Sequence, residues 1–313
     1  MNPEYVPEWE QILGIPVNDF FPFRRIVRLI TPAGDWVVKP VRDPVQLRWW
    51  MSVDRELRFR GFRSMPPIYT DGSRWLITPM IDGFPVSYRD RNQVRKAARL
   101  LALFHRLGRG LATPPFHRKR HPFLHRLDAR LSEFARLLKT CEGMEGEIGE
   151  LIRQYGRQYY RYGMEARKQI AEYPLSLLFE REWRGRFVVH QDLASHNWLL
   201  DRRGKLWLID FETADYDWQL GDLWQLLSRV LPEQNWNSSV WHEVIAVYGE
   251  IRPLSSMELS ILRKLLGFPN EFFRESLGVV KGRRGYHPEV VIPYLKRIGE
   301  STDKWRRFLR MIR

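Results

Sequence analysis

The sequence predicts an α+β chain of two lobes, a small β-rich N-lobe with one main helix over residues 1–82 and a large, mostly helical C-lobe over residues 83–313. Three observations predict it. β-Branched apolar runs separated by turn-forming clusters crowd the chain before residue 83; apolar residues at helical spacing dominate after it; and one polar loop between short apolar runs interrupts the helical part at 190–197.

The runs RRIVRLIT (24–31) and WVVKPV (36–41), parted by Pro32-Ala33-Gly34-Asp35, read as a β-hairpin. A helix is expected next, from Pro44, which suits a first helical position, to Gly61, which suits a C-terminal stop; Leu47, Trp50 and Leu57 fall near one face. Strands near 67–70 and 74–80 flank Asp71-Gly72-Ser73, and the lobe ends at Pro79-Met80-Ile81-Asp82-Gly83. Beyond it, 92–107 carries Val94, Ala97, Leu101, Phe104 and His105 on one face. The segment 123–140 places Leu124, Leu127, Leu131, Phe134 and Leu138 at steps of three and four, and a long helix is expected over about 147–171. Short apolar runs at 187–189 and 198–200 enclose the polar loop, a turn at Asp201 to Lys205 leads into Leu206-Trp207-Leu208-Ile209, and the remainder is helical, broken at Pro253, Pro269 and Pro288.

With 44% hydrophobic and 28% charged residues the chain is too apolar to stay disordered. No run reaches the roughly 18 apolar residues that a membrane span needs, and MNPEYVPEWE lacks the basic and apolar regions of a secretion signal, so an intracellular location is expected. The lone Cys141 excludes an intramolecular disulfide and a cysteine-built zinc cage. Lysine and arginine number 51 against 37 acids, a formal charge of +14 that favours acidic partners. The basic residues form short clusters, His117-Arg118-Lys119-Arg120-His121, Lys281-Gly282-Arg283-Arg284 and Arg306-Arg307, which read first as solvated faces; the 13 tryptophans are scattered as core residues are, so no specific nucleic-acid site is expected.

The chemistry lies in His190-Gln191-Asp192-Leu193-Ala194-Ser195-His196-Asn197, followed by a hairpin and Ile209-Asp210-Phe211-Glu212. Phosphoryl transfer to a hydroxyl needs a carboxylate near the acceptor proton and oxygen ligands that hold Mg²⁺ against the phosphates. An Asp and an Asn five positions apart in one loop can face the acceptor and the metal, while a hairpin returns a second Asp beside the Asn.

These motifs resemble the kinase-like superfamily, whose catalytic loop reads H-x-D-x-x-x-x-N and whose metal aspartate begins D-F-G or a relative of it. HQDLASHN and LIDFE are most similar to the aminoglycoside phosphotransferase and choline kinase branch, in particular to the CotS family of bacterial spore coat proteins. The resemblance spans nearly the whole chain, with its strong motifs at 190–222. It implies a bilobal protein-kinase-like fold that binds ATP and Mg²⁺, with Asp192 as catalytic base and Asn197 and Asp210 as metal ligands. It also implies Lys39 on the ATP phosphates with Glu56 as its partner, Asp54 competing for that role, and adenine held by the backbone of Met80 and Ile81, since Pro79 has no N–H. His190 would orient the catalytic loop, and Asp222 would hold it by accepting backbone hydrogens. His196 reads as packed, with a phosphate contact as its functional alternative.

The chain departs from that pattern in two places. No G-x-G-x-x-G precedes Lys39, so a glycine-free turn in Asn18 to Arg25 would cover the phosphates, and Glu212 replaces the glycine of D-F-G. The resemblance implies phosphoryl transfer to a small hydroxylated molecule, with spore coat association and acidic coat proteins as partners. The alternatives are a coat component that uses the fold for binding with little turnover, and a protein kinase acting on coat proteins. Only Phe211 to Gly221 separate Asp210 from Asp222 and no A-P-E motif follows, which favours a small acceptor over a peptide.

Overall fold

A computed structural model describes residues 3–23, 26–116 and 122–312. The cluster His117 to His121, with Arg118, Lys119 and Arg120, lies outside the described residues, as do Arg24 and Arg25 of the expected phosphate-covering turn.

A short helix α1 (Val6–Leu13) leads into a five-stranded antiparallel sheet of β1 (Asp19–Phe23), β2 (Ile26–Thr31), β3 (Gly34–Pro40), β5 (Trp75–Pro79) and β4 (Tyr69–Thr70), in that order across the sheet. Val27 pairs with Val38 and Val38 with Ile77, and all three are buried with Leu29, Trp75 and Trp9 of α1. Trp9 meets Trp75 edge-on at 5.5 Å, a favoured geometry for aromatic pairs. Side chains alternate across a strand, so burying Val38 on this face sends Lys39 to the opposite one. α1 is not legible in the sequence; its eight residues are too few for a decisive helical period.

The main N-lobe helix α2 (Pro44–Phe59) begins as expected, with Asp43 accepting from Val45 and Gln46 N–H at 2.9 and 3.1 Å and Pro44 in its first turn. Gly61 follows at φ 95°, a left-handed value that glycine adopts without a Cβ penalty. The apolar face of α2 packs into the large core, where Trp50 stacks on Phe211 at 4.3 Å and Trp49 meets Tyr216 edge-on at 5.1 Å.

The C-lobe opens with β6 (Gly83–Pro85), which joins β8 (Trp198–Asp201) and β9 (Leu206–Leu208) in a three-stranded sheet. A Cβ on Gly83 would stand 2.6 Å from the Leu200 carbonyl oxygen, so this approach requires glycine. Helices α3 (Arg91–Leu107), α4 (Pro122–Thr140), α5 (Gly146–Ile170) and α6 (Leu175–Arg184) follow. The pair β7 (Val188–Val189) and β10 (Asp215–Tyr216) brackets the polar loop. The chain ends in α7 (Gln219–Glu233), α8 (Ser238–Gly249), α9 (Ser256–Leu265), α10 (Asn270–Val280), α11 (Pro288–Glu300) and α12 (Thr302–Met311). Pro253, Pro269 and Pro288 fall at breaks between helices as expected, the last two at helix starts, whereas Pro232 and Pro293 lie inside helices. Among the described residues no helix is long and apolar enough to cross a membrane.

Candidate active site

The loop 190–197 leaves β7 and closes in a 3₁₀ turn (Ser195–Asn197) before β8, held from behind by one face of α7. Asp222 accepts from His190 N–H at 2.6 Å and from Gln191 N–H at 2.9 Å. One turn on, Gln225 accepts from Leu193 N–H at 2.5 Å and donates to the Gln191 carbonyl at 2.9 Å. Arg229 then reaches Asp192 Oδ1 at 3.4 Å. These positions fall at i, i+3 and i+7, one stripe of a helix. Tyr88 adds a hydroxyl donated to the Leu193 carbonyl at 2.8 Å. Sequence reasoning missed Gln225, Arg229 and Tyr88; the helical stripe from Asp222 was the available signal for the first two.

Asp222 is itself anchored deeper. His105 of α3 places Nε2 3.3 Å from Asp222 Oδ2 and Nδ1 2.7 Å from the Tyr248 hydroxyl. Burial alone would raise the Asp222 carboxyl, but the hydrogen bonds from His105 and from the His190 N–H outweigh it and hold the group below the usual carboxylate range. Burial lowers both His105 and His190. His190 therefore works as a neutral ring, with Nε2 2.9 Å from the Ile209 carbonyl and Nδ1 3.3 Å from Asp192 N–H, linking the loop to the residue before Asp210.

Asn197 is buried, and its Nδ2 donates to the Asp192 carbonyl at 2.9 Å and to Asp192 Oδ2 at 3.2 Å, which turns its Oδ1 the other way. The Asn197 carbonyl accepts from Ile209 N–H at 3.0 Å, so the hairpin return sets Asp210 beside it. Asp210 sits at φ 68°, a left-handed conformation that Asp tolerates better than most residues, with its side chain about one-third exposed. Lys39 Nζ lies 2.9 Å from Asp210 Oδ1 and 3.6 Å from Glu212 Oε1. Asp192 is thus bonded to Asn197, the Asn197 backbone to the residue before Asp210, and Asp210 to Lys39.

Glu56 does not join them. Its carboxylate accepts from Ala112 and Thr113 N–H, each at 2.6 Å, and from the Thr113 hydroxyl, fixing α2 to the loop after α3. Asp54 is engaged with Arg58 at 2.7 Å, so neither acid of α2 pairs with Lys39, whose carboxylate partners are Asp210 and Glu212, just beyond β9. The physical reason is that α2 packs its apolar face into the C-lobe core and turns Glu56 toward that lobe. Glu56→Gln is accordingly expected to cost on the order of 1–2 kcal/mol in urea denaturation, through lost charge-assisted hydrogen bonds, while leaving Mg-ADP affinity unchanged. A weakened Mg-ADP affinity would instead restore Glu56 to the nucleotide site.

The adenine assignment needs a similar adjustment. The Met80 N–H is already spent on the Asp35 carbonyl at 2.8 Å, which extends the β3–β5 ladder. Only the Met80 carbonyl and the Ile81 backbone remain for a base. His196 is exposed and lies in the 3₁₀ turn.

Among the described residues, no three His, Cys, Asp or Glu side chains converge as a metal cage. An Asn197 and Asp210 oxygen pair instead suits Mg²⁺, which keeps most of its shell as phosphate and water and takes one or two protein carboxylates.

Over residues 23–254 the sequence matches the phosphotransferase enzyme family. No curated protein matches the chain. Among solved structures, an aminoglycoside phosphotransferase from Alicyclobacillus acidocaldarius is 17% identical with a TM-score of 0.82, over 100% of this chain and 95% of that one. A spectinomycin phosphotransferase in complex with ADP and spectinomycin is 10% identical with a TM-score of 0.68, over 97% of each chain. A choline kinase from Streptococcus pneumoniae is 13% identical with a TM-score of 0.55, over 99% of this chain and 98% of that one. At these identities the likeness shows a shared fold, a small antiparallel sheet above a helical lobe. With the family match spanning most of its length, the chain belongs to the phosphotransferase enzyme family.

Proposed function

We propose that this protein transfers the γ-phosphoryl group of ATP to a hydroxyl of a small molecule. The observation that carries the reading is the convergence of Asp192, Asn197, Asp210 and Lys39, residues from strand β3, the 190–197 loop and the end of the β8–β9 hairpin. In this reading Asp192 accepts the acceptor proton as the hydroxyl oxygen bonds to the γ-phosphorus and the bond to the bridging oxygen of ADP breaks. Arg229 and Asn197 hold the two Asp192 oxygens and fix its orientation. Lys39 moves from Asp210 to the phosphates. Asn197 and Asp210 would hold Mg²⁺, which when bound neutralises charge on the phosphates. The test is thermal stabilisation by Mg-ATP, followed by a screen of hydroxylated metabolites for ADP release. Stabilisation with acceptor-dependent ADP release supports the reading, and neither effect across a broad screen contradicts it.

We further propose association with an acidic layer such as the spore coat, supported by the CotS-like motifs and the formal charge of +14. Part of the basic surface is compensated internally, since Lys281 and Arg283 share Glu133 at 2.8 and 3.2 Å. Exposed charges are screened over about 8 Å at physiological ionic strength. Raising salt should therefore release the protein from isolated coat material while Mg-ATP binding persists. Retention that ignores salt would assign the attachment to apolar or covalent contacts.

A further inference from the structure

Four guanidinium groups of α4, α7 and α10 lie near one another, two of them in contact with the loop that carries Asp192, and one of the four pairs with no carboxylate among the described residues. Arg126 and Arg130 lie one turn apart on α4, Arg229 projects from α7 and Arg274 from α10. Arg126 donates to Gln191 Oε1 at 2.6 Å, next to Asp192 in the chain, and faces the buried Asp217 at 3.4 Å. Arg229 reaches Asp192. Arg274 lies 2.5 Å from both Glu271 and Glu275. Arg130 is the unpaired one; it donates to the amide oxygen of Asn270, whose Nδ2 in turn donates to Glu271 Oε1 at 2.9 Å.

Arg130 keeps a partly exposed surface where α4 meets the start of α10. Burial first, then the neighbouring Arg274 and Arg126, push it down to about 10, with Glu271 opposing. A cation so placed is unfavourable until an anion joins it.

We infer that Arg130 anchors an oxyanion of the acceptor, a carboxylate or a phosphate monoester, and so holds that molecule with a hydroxyl toward Asp192. The inference rests on the phosphotransferase reading and names its substrate class. The span is short, since Arg130 stands one helical turn from Arg126, which touches the loop carrying Asp192. Arginine suits the task, because its planar fork matches a carboxylate or phosphate in a bidentate pair.

The experiment has a binding arm and a turnover arm. With Mg-ADP saturating the nucleotide site, glucose, glucuronate and glucose 6-phosphate are titrated against wild type, Arg130→Gln and Arg130→Lys by calorimetry. Wild type should bind one or both anionic sugars at least tenfold tighter than glucose, and which of the two it prefers separates a carboxylate from a phosphate site. Arg130→Gln should abolish that preference with Mg-ADP affinity intact, and Arg130→Lys should recover part of it. In the turnover arm, a matched panel of neutral and anionic hydroxyl compounds should show ADP release for the anionic members, with KM rising at least tenfold in Arg130→Gln. Anion binding that survives Arg130→Gln, or neutral acceptors turned over equally by both proteins, overturns the inference while leaving phosphoryl transfer in place. Turnover of no acceptor at all would defeat the phosphotransferase reading, and the binding arm would still decide whether Arg130 holds an anion.

Discussion

Asp192→Asn is expected to lower kcat by on the order of 10²–10⁴-fold while Mg-ADP affinity stays within twofold of wild type. The exchange removes the proton-accepting oxygen and the negative charge that Arg229 faces at 3.4 Å. The amide oxygen of the replacement side chain can still accept from Asn197 Nδ2, and the Asp192 backbone carbonyl, which takes the shorter of the two Asn197 bonds at 2.9 Å, is untouched. The loop is positioned through its backbone by Asp222, Gln225 and Tyr88, in hydrogen bonds that do not involve the Asp192 side chain. A fall in kcat without a fall in nucleotide affinity therefore reports chemistry and not collapse of the loop. Steady-state ADP release at saturating acceptor, with calorimetry for Mg-ADP, measures both quantities.

Asp210→Asn is expected to act on the other quantity. Its carboxylate is the only charged member of the Asn197 and Asp210 oxygen pair, so the variant should lose at least tenfold in Mg-dependent nucleotide affinity, about 1.4 kcal/mol. Asn is the informative replacement because Asp210 sits at φ 68°, where alanine would add backbone strain to the loss of charge. Affinity measured without Mg²⁺ should change far less, or improve, since Lys39 is released from its 2.9 Å contact with Asp210 and becomes available to the phosphates. Equal affinity of wild type and variant in the presence of Mg²⁺ would remove Asp210 from the metal site.

The parts of the fold legible in the sequence are those fixed by local chemistry. The β2–β3 hairpin follows from two apolar runs around a turn cluster, and α2 from Asp43, Pro44 and Gly61 marking its ends. The 190–197 loop and its hairpin are legible because residue types and spacings close in sequence are close in space. Lys39 is readable as facing away from the N-lobe core because its neighbour Val38 has the opposite parity along the strand. The contacts of Glu56 with Ala112 and Thr113 are not legible in the sequence because helical spacing fixes which residues share a face but not which lobe that face packs against. That choice depends on Trp49 and Trp50 finding Tyr216 and Phe211, more than 150 residues away in the chain. The Met80 N–H is likewise lost to a ladder bond with Asp35 that only strand pairing reveals. The arginine cluster is invisible for the same reason, being assembled from α4, α7 and α10.

The most direct measurement of the central claim is transfer of label from γ-labelled ATP by wild type and Asp192→Asn, with products resolved into free phosphate, labelled protein and labelled small molecule. Wild type should move label into a small hydroxylated acceptor with one ADP formed per label transferred, and Asp192→Asn should do so at least 10²-fold more slowly, in line with the roughly 10²–10⁴-fold expected of a positioned base. Label found only in free phosphate or protein, or transferred equally by both proteins, would contradict the account.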